Sequence, residues 1–390
     1  MNGSRRWIVG GVAVSILLAV SARLGATPPG APLTILHPRP LQVVQRRDID
    51  GGVIPVEVVG MPPPGGQIEA RVAVDRASGW LTLEPAPRLP GQEERSTGAL
   101  EAPAGGWYRL EVRSVVAGHT VGEAAVARVG VGEVFVVAGQ SNSANHGEER
   151  LLPTDDRVVT LDPDGNWRPA ADPQPGASGD GGSFLPALGD LLVERFGVPV
   201  GFVACGIGAT SIREWLPAGS RFPTPPTLTG RVRPVGDGGW ESDGEAFAML
   251  LRRMRQCGAG GYRALLWHQG ESDANQADPS RTLPGQLYED YLGRLISSSN
   301  RAEARDIPWF VARASYHVPG DESSTDIRAA QAAVCRDGLA LPGPDTDRLT
   351  GALRDSGGRG VHMSGAGQRR HAAVWFDAVA PWLEARLKRP

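Results

Sequence analysis

The chain has 390 residues, with 40 Lys and Arg against 43 Asp and Glu, for a net charge of -3. Near-neutral charge without a basic stripe offers no hold for nucleic acid, and no acidic tail marks a disordered solvating segment. The length allows two domains with a sizeable core. The 52 Gly and 33 Pro predict many turns, and no fixed-period repeat is visible.

Arg5 and Arg6 precede an apolar stretch over residues 7–20, and small residues follow at 20–22 and 25–26. This is the pattern of a secretory signal peptide, assigned to residues 1–26. The apolar core is shorter than the ~20 residues a spanning helix needs, and an uncleaved anchor is the alternative. Either reading puts the folded part outside the cytoplasm, secreted or periplasmic. Export permits disulfides. With only Cys205, Cys257 and Cys335, at most one pair can form within the chain and one thiol is left over. Their spacing matches no zinc or thioredoxin-like motif, so each is predicted as a buried apolar side chain.

Residues 27–130 form the first predicted domain. Pro28 and Pro29 suggest an extended linker. Short runs of alternating character follow at 41–45, 53–59, 68–74, 107–113 and 125–129, most of them bounded by Gly, Pro or Asp. Over 107–112, Trp107, Arg109 and Glu111 should face one side and Tyr108, Leu110 and Val112 the other. Period-two runs at this spacing predict an antiparallel β-sandwich, immunoglobulin-like in outline. It shows no cluster of reactive residues. The reading favoured is a module that covers or orients its neighbour, with a sugar-binding module as the alternative.

At Gly132 the pattern changes, and residues 131–390 form the second predicted domain. Strands are predicted at 133–138, 198–205, 262–267 and 307–312. Helices are predicted at 184–196, 246–255, 287–296 and 326–336, with a long final one at 364–387 interrupted by Pro381. Gly197 stands where a C-cap should be. Alternating strands and helices imply a mainly parallel sheet covered on both faces. The long loop 217–243 is rich in Pro and Gly and could frame a substrate cleft.

The run at 133–138 ends abruptly in Gly139-Gln140-Ser141-Asn142. A short apolar run closed by a glycine turn is what a buried parallel strand looks like. Reactive groups of such sheets sit just beyond the carboxyl ends of the strands, where a substrate can reach a serine on the turn. Three more blocks follow: Gly208-Ala-Thr-Ser-Ile-Arg-Glu-Trp215, Trp267-His-Gln-Gly-Glu-Ser-Asp273 and Gly360-Val-His-Met-Ser364. The four blocks in this order resemble the sialate O-acetylesterase-like carbohydrate esterases, a branch of the SGNH (GDSL-type) hydrolases. The resemblance runs from about Val131 to the C-terminus. It implies an α/β fold: a three-layer flavodoxin-like SGNH hydrolase domain, here preceded by the β-sandwich domain.

The resemblance also implies roles. Ser141 would be the nucleophile, and His362 the base that takes its proton and later returns it to the leaving sugar oxygen, as general acid–base chemistry near neutral pH requires. The main-chain N–H groups of Ser141 and Gly208 and the side-chain amide of Gln269 would form the oxyanion hole. Gln140, Asn142 and Glu271 would support the turn, and His146 reads as a surface or cap residue. His268, Glu271 and Asp273 share a loop, but their spacing fits no metal motif, and neither metal nor cofactor is expected. In one respect the chain departs from the family, in which an aspartate commonly stands three positions before the catalytic histidine. Here that position is Arg359. Asp355 reaching back across Gly357 and Gly358, Asp345, Asp347, Glu271 or a main-chain carbonyl could take its place, or the centre could be a Ser–His dyad. The expected substrate is an acetylated carbohydrate, with no nucleic acid and no membrane beyond a possible N-terminal anchor. A weakened glycan-binding relative, or an esterase acting on other acyl esters, are the rival readings.

Overall fold

The computed structural model describes residues 32–388 except 63, 74–78, 88–92 and 259–260. The proposed signal peptide lies outside the described residues. Among the described residues no helix is long and apolar enough to cross a membrane.

The chain has a mixed α/β fold with large sheets. Its spine is one strand of 21 residues, His119–Gly139. The first part of this strand pairs antiparallel with Gly105–Val116. Its middle pairs with Val43–Gln45, and its last residues pair in parallel with Val200–Ala204 and Ala264–His268. The sequence predicts two strands here, at 125–129 and 133–138. The structure corrects this to one, because Gly130 and Gly132 do not break the strand. They admit Pro199: a Cβ on Gly132 would stand 1.9 Å from the Pro199 carbonyl oxygen.

In the N-terminal part, Thr34–His37, Gly51–Val59, Arg95–Pro103 and Glu84–Pro85 form one sheet. Ile54, Val56 and Val58 of that sheet share an apolar cluster with Ile68, Ala70, Leu110 and Val112 of the neighbouring strands. Leu110 and Val112 are buried as the alternation predicts. A buried cluster ties this part to the rest. Glu133 takes Arg46 Nε at 2.6 Å and Arg263 Nε at 2.7 Å.

In the C-terminal part the parallel sheet runs, from one edge, Val158–Leu161, Val200–Ala204, the end of the long strand, Ala264–His268, Trp309–Arg313 and Leu341–Asp345, with Trp167–Pro169 antiparallel on the first edge. Alternate residues of the long strand face opposite ways. Val134, Val136 and Ala138 pack with helices Glu245–Arg255, Gly285–Ala302 and Thr325–Arg336. Phe135 and Val137 pack with Leu185–Phe196 and Gly365–Leu387. The last helix continues through Pro381 instead of being interrupted by it. Loop 217–243 contains a small antiparallel sheet of Arg221–Phe222, Trp240–Ser242 and Val232–Pro234. All three cysteines are free thiols, with Cys205 buried and Cys257 and Cys335 partly so. Burial pushes the Cys205 and Cys257 thiols up to about 12.

Candidate active site

Gly139 ends the long strand with φ +128°, and a Cβ there would stand 2.0 Å from the His268 carbonyl oxygen. Only glycine lets the chain turn this close to the neighbouring strand. The next residue, Gln140, donates its N–H to that carbonyl at 2.9 Å. Ser141–Ser143 then forms a single 3-10 turn. Ser143 Oγ closes it by donating to the Gln140 carbonyl at 2.7 Å. Ser141 is therefore held just past the carboxyl end of a central strand, which is where the sequence places it.

The motif residues around Ser141 join one block to the next. Gln140 Oε1 accepts the Ser272 N–H at 3.0 Å. Asn142 Nδ2 donates to Glu271 Oε1 at 3.0 Å and to the Val361 carbonyl at 3.2 Å. Asp273 accepts from Ser211 Oγ at 2.5 Å, Ile212 N at 2.8 Å and Gln269 Nε2 at 2.7 Å. Glu271 is buried, and His268 Nε2 stands 3.1 Å from its Oε1, with His371 and Trp375 hydrogen-bonded behind. Burial pushes the Glu271 carboxyl up, but the His268 imidazole and the Asn142 amide outweigh it and hold the group at about 2. Among the described residues no three His, Cys, Asp or Glu side chains are placed to hold a metal.

An open cavity of about 940 Å³ lies against this turn. Ser141, Gly208, Glu271 and His362 line it, together with His146, Ser178, Arg231, Gln276 and His317. The serine and the histidine, 221 positions apart in the sequence, thus line the same cavity. Gln269 does not join them. It is fully buried, its Nε2 is committed to Asp273 and to the Thr210 carbonyl at 3.1 Å, and its Oε1 accepts Tyr288 OH at 2.9 Å. Gly208 reaches the cavity, but its N–H is engaged by Ser178 Oγ at 2.6 Å. His146 is half-buried on the wall of the cavity. Its ring stacks on that of His362 with centroids 5.2 Å apart. No spacing rule in the sequence points to Ser178 or His146, whose place is set by folding alone.

Behind His362 stands Asp355. Its Oδ2 is 3.6 Å from His362 Nδ1, and its Oδ1 accepts the His362 N–H at 3.2 Å. Ser356, Gly357 and Gly358 all have left-handed φ, of 54°, 67° and 86°, which folds the carboxylate back. The carboxylate lies against the Gly360 backbone, where a Cβ would stand 1.6 Å from Oδ1. Arg354 anchors the hairpin from inside. It is buried, it donates to the Val361 carbonyl at 2.8 Å and the Thr346 carbonyl at 3.0 Å, and it lies 3.7 Å from the Tyr316 ring centroid. Arg359 is exposed, and its Nε donates to the Ser356 carbonyl at 3.2 Å. Asp345 and Asp347 are spent on Arg328, at 2.7 Å each. Burial lowers the proton affinity of the His362 imidazole, while Asp355 and Glu271 oppose that effect. The lowered proton affinity favours the neutral imidazole, the form able to accept a proton.

Comparison with known proteins bears on this site. Residues 131–337 match the family model described as carbohydrate esterase, sialic acid-specific acetylesterase. The chain belongs to this family. The sialic acid-specific acetylesterase match covers Ser141, Gly208 and Glu271 and ends before His362 and Asp355, so the histidine side of the site stands on geometry. A probable carbohydrate esterase of Arabidopsis thaliana is 25% identical over 193 residues, which cover 43% of this chain and 62% of that relative. The chain thus spans less than two thirds of that relative's length. The crystal structure of a carbohydrate acetylesterase of Xanthomonas citri superposes with a TM-score of 0.52 at 16% identity, over 88% of this chain and 74% of that one. That likeness speaks to the fold.

Proposed function

We propose that the protein is an exported serine esterase that removes O-acetyl groups from a carbohydrate, with Ser141 as nucleophile, His362 as base and Asp355 as the group that orients His362. The observation that carries this reading is the meeting of Ser141 and His362 on one cavity with a carboxylate behind the imidazole. As Ser141 Oγ attacks the acetyl carbon, its proton passes to His362. The imidazolium then returns that proton to the departing sugar oxygen, leaving an acetyl-serine that water hydrolyses by the same route. Asp355 steadies the charged ring in both steps.

The substrate class rests on the family's description. We assign residues 131–390 to a three-layer flavodoxin-like SGNH-type domain, supported by helices packed on both faces of the parallel sheet. Residues 27–130 are assigned to an immunoglobulin-like β-sandwich, supported by the apolar cluster its sheets share. Residues 1–26 are read as the export signal. Arg359 alone motivates the alternative of a weakened glycan-binding relative, and Asp355 supplies the carboxylate that Arg359 lacks.

The test is acetate release from an O-acetylated sugar by the intact protein and by Ser141→Ala. Release by the intact protein and none by the variant is expected. Equal rates reject the assignment.

A further inference from the structure

The Ser178 hydroxyl sits at the point where the resemblance leaves a gap. The Gln269 amide is committed in the core, and the Gly208 N–H already has an acceptor. That acceptor is Ser178 Oγ, at 2.6 Å. The Ser178 main chain is pinned between the two turns of the site. Its carbonyl accepts the Asn145 N–H at 2.9 Å, just after the serine turn, and its N–H donates to the Gly206 carbonyl at 2.9 Å, just before Gly208. Ser178 lines the same cavity as Ser141.

A serine oxygen that accepts one hydrogen bond still has its own proton to give. In the resting site the neighbour for that proton is His146 Nε2, at 3.2 Å. Burial lowers the proton affinity of His146, the neighbouring His362 adds to the effect, and Asp180 opposes it. A neutral ring with its proton on Nδ1 offers Nε2 as the acceptor. The fit is close. A Cβ on Gly208 would stand 2.7 Å from His146 Nε2, and one on Gly179 would stand 2.9 Å from the same atom.

Building on the Ser141–His362 reading, we propose that Ser178 is a catalytic residue of the oxyanion hole. Its hydroxyl, polarised by the Gly208 N–H and aimed by His146, donates to the oxygen of the tetrahedral intermediate. When Ser141 Oγ bonds to the acetyl carbon, the carbonyl electron pair moves onto that oxygen and the serine proton moves to His362. The Ser178 O–H swings from His146 Nε2 to the new oxyanion without giving up its proton. When the carbonyl re-forms, the bond to the sugar oxygen breaks, that oxygen takes the proton held by His362, and Ser178 returns to His146. A donor that itself accepts a hydrogen bond is a stronger donor. Gly208 thus acts through Ser178.

The test is steady-state hydrolysis of 4-nitrophenyl acetate by the full chain. Ser178→Ala is expected to lower kcat about 10²-fold with KM changed less than about twofold, since the bond exists only in the transition state. Ser178→Thr and Ser178→Val have nearly the same shape and differ in the hydroxyl. The threonine variant should keep at least about ten times the kcat of the valine variant, and this pair carries the test if the alanine variant does not fold. A Ser178→Ala enzyme within about twofold of the native kcat, a loss confined to KM, or equal threonine and valine variants overturns the proposal. Full activity of Ser178→Ala beside an inactive Ser141→Ala removes Ser178 alone. Full activity of Ser141→Ala removes the underlying reading as well.

Discussion

The serine turn and the histidine hairpin border one cavity, but they are built by different means. The turn at residues 139–143 continues a central strand, and its side chains are bonded into the neighbouring strand ends. The hairpin at residues 354–362 lies outside the sheet. It is held by one buried guanidinium on carbonyl oxygens and by three successive left-handed residues. The sheet fixes Ser141 by many redundant contacts, whereas His362 depends on a few local ones. Small changes in the hairpin should therefore cost activity, while changes beneath the serine should first cost stability.

The largest expected effect is at the proposed nucleophile. Ser141→Ala should lower kcat at least about 10⁴-fold, measured on a chromogenic acetate ester. Next, Asp355→Asn should lower kcat/KM about 10²- to 10³-fold. The sign of its pH effect follows from the charges. Asp355 favours the imidazolium of His362, so removing it lowers the proton affinity of the ring. The free base then persists to lower pH, and the acid limb of kcat/KM should move down. A limb that moves up would contradict the assignment. Gly360→Ala drives a methyl group into the Asp355 carboxylate. It should lower kcat by no more than Asp355→Asn does, and the double variant should lose no more than the worse single one. Additive losses would show that Gly360 acts elsewhere.

On the serine side, Glu271→Ala strips partners from Asn142 and His268 and should cost about 2 to 3 kcal/mol of stability, read by chemical denaturation. In the native protein the Glu271 carboxyl is held at about 2 against 4.5 ordinarily. The folded state binds that proton more weakly than the unfolded one. Its contribution is therefore full above pH 4.5 and is lost as pH falls towards 2. The variant should lack this acid-dependent part. The smallest effect belongs to Arg359→Ala, which removes an exposed side chain and should change stability by less than about 0.5 kcal/mol.

The same contrast governs how much could be read from the sequence. Strand and turn around Ser141 are contiguous, so an apolar run followed by Gly-Gln-Ser-Asn is enough to place Ser141 just past a strand end. The helices at residues 185–196, 245–255 and 325–336 lie within a residue or two of where periodicity puts them. Leu341–Asp345 is not among the predicted strands; it carries Pro342 and Pro344, which an edge strand paired on one side tolerates. The long strand was split because Gly130 and Gly132 looked like breaks, when they are points of close approach to Pro199. Asp355 is one of several candidates in the sequence, and only the left-handed path through Gly357 and Gly358 brings its carboxylate towards His362. The resemblance implies Gln269 as an oxyanion donor; in the structure its amide is buried and bonded to Asp273 and the Thr210 carbonyl. His146 and Ser178 carry no local signal, since their place depends on contacts between distant turns.

The most direct test is labelling of the intact protein with a fluorophosphonate, with the site found by peptide mass spectrometry and the rate compared with that of His362→Ala. A single adduct on Ser141, formed rapidly in the native protein and at least about 10²-fold more slowly without His362, is the predicted result. An adduct on another residue, or a rate that does not change when His362 is removed, would contradict the pairing of these two residues.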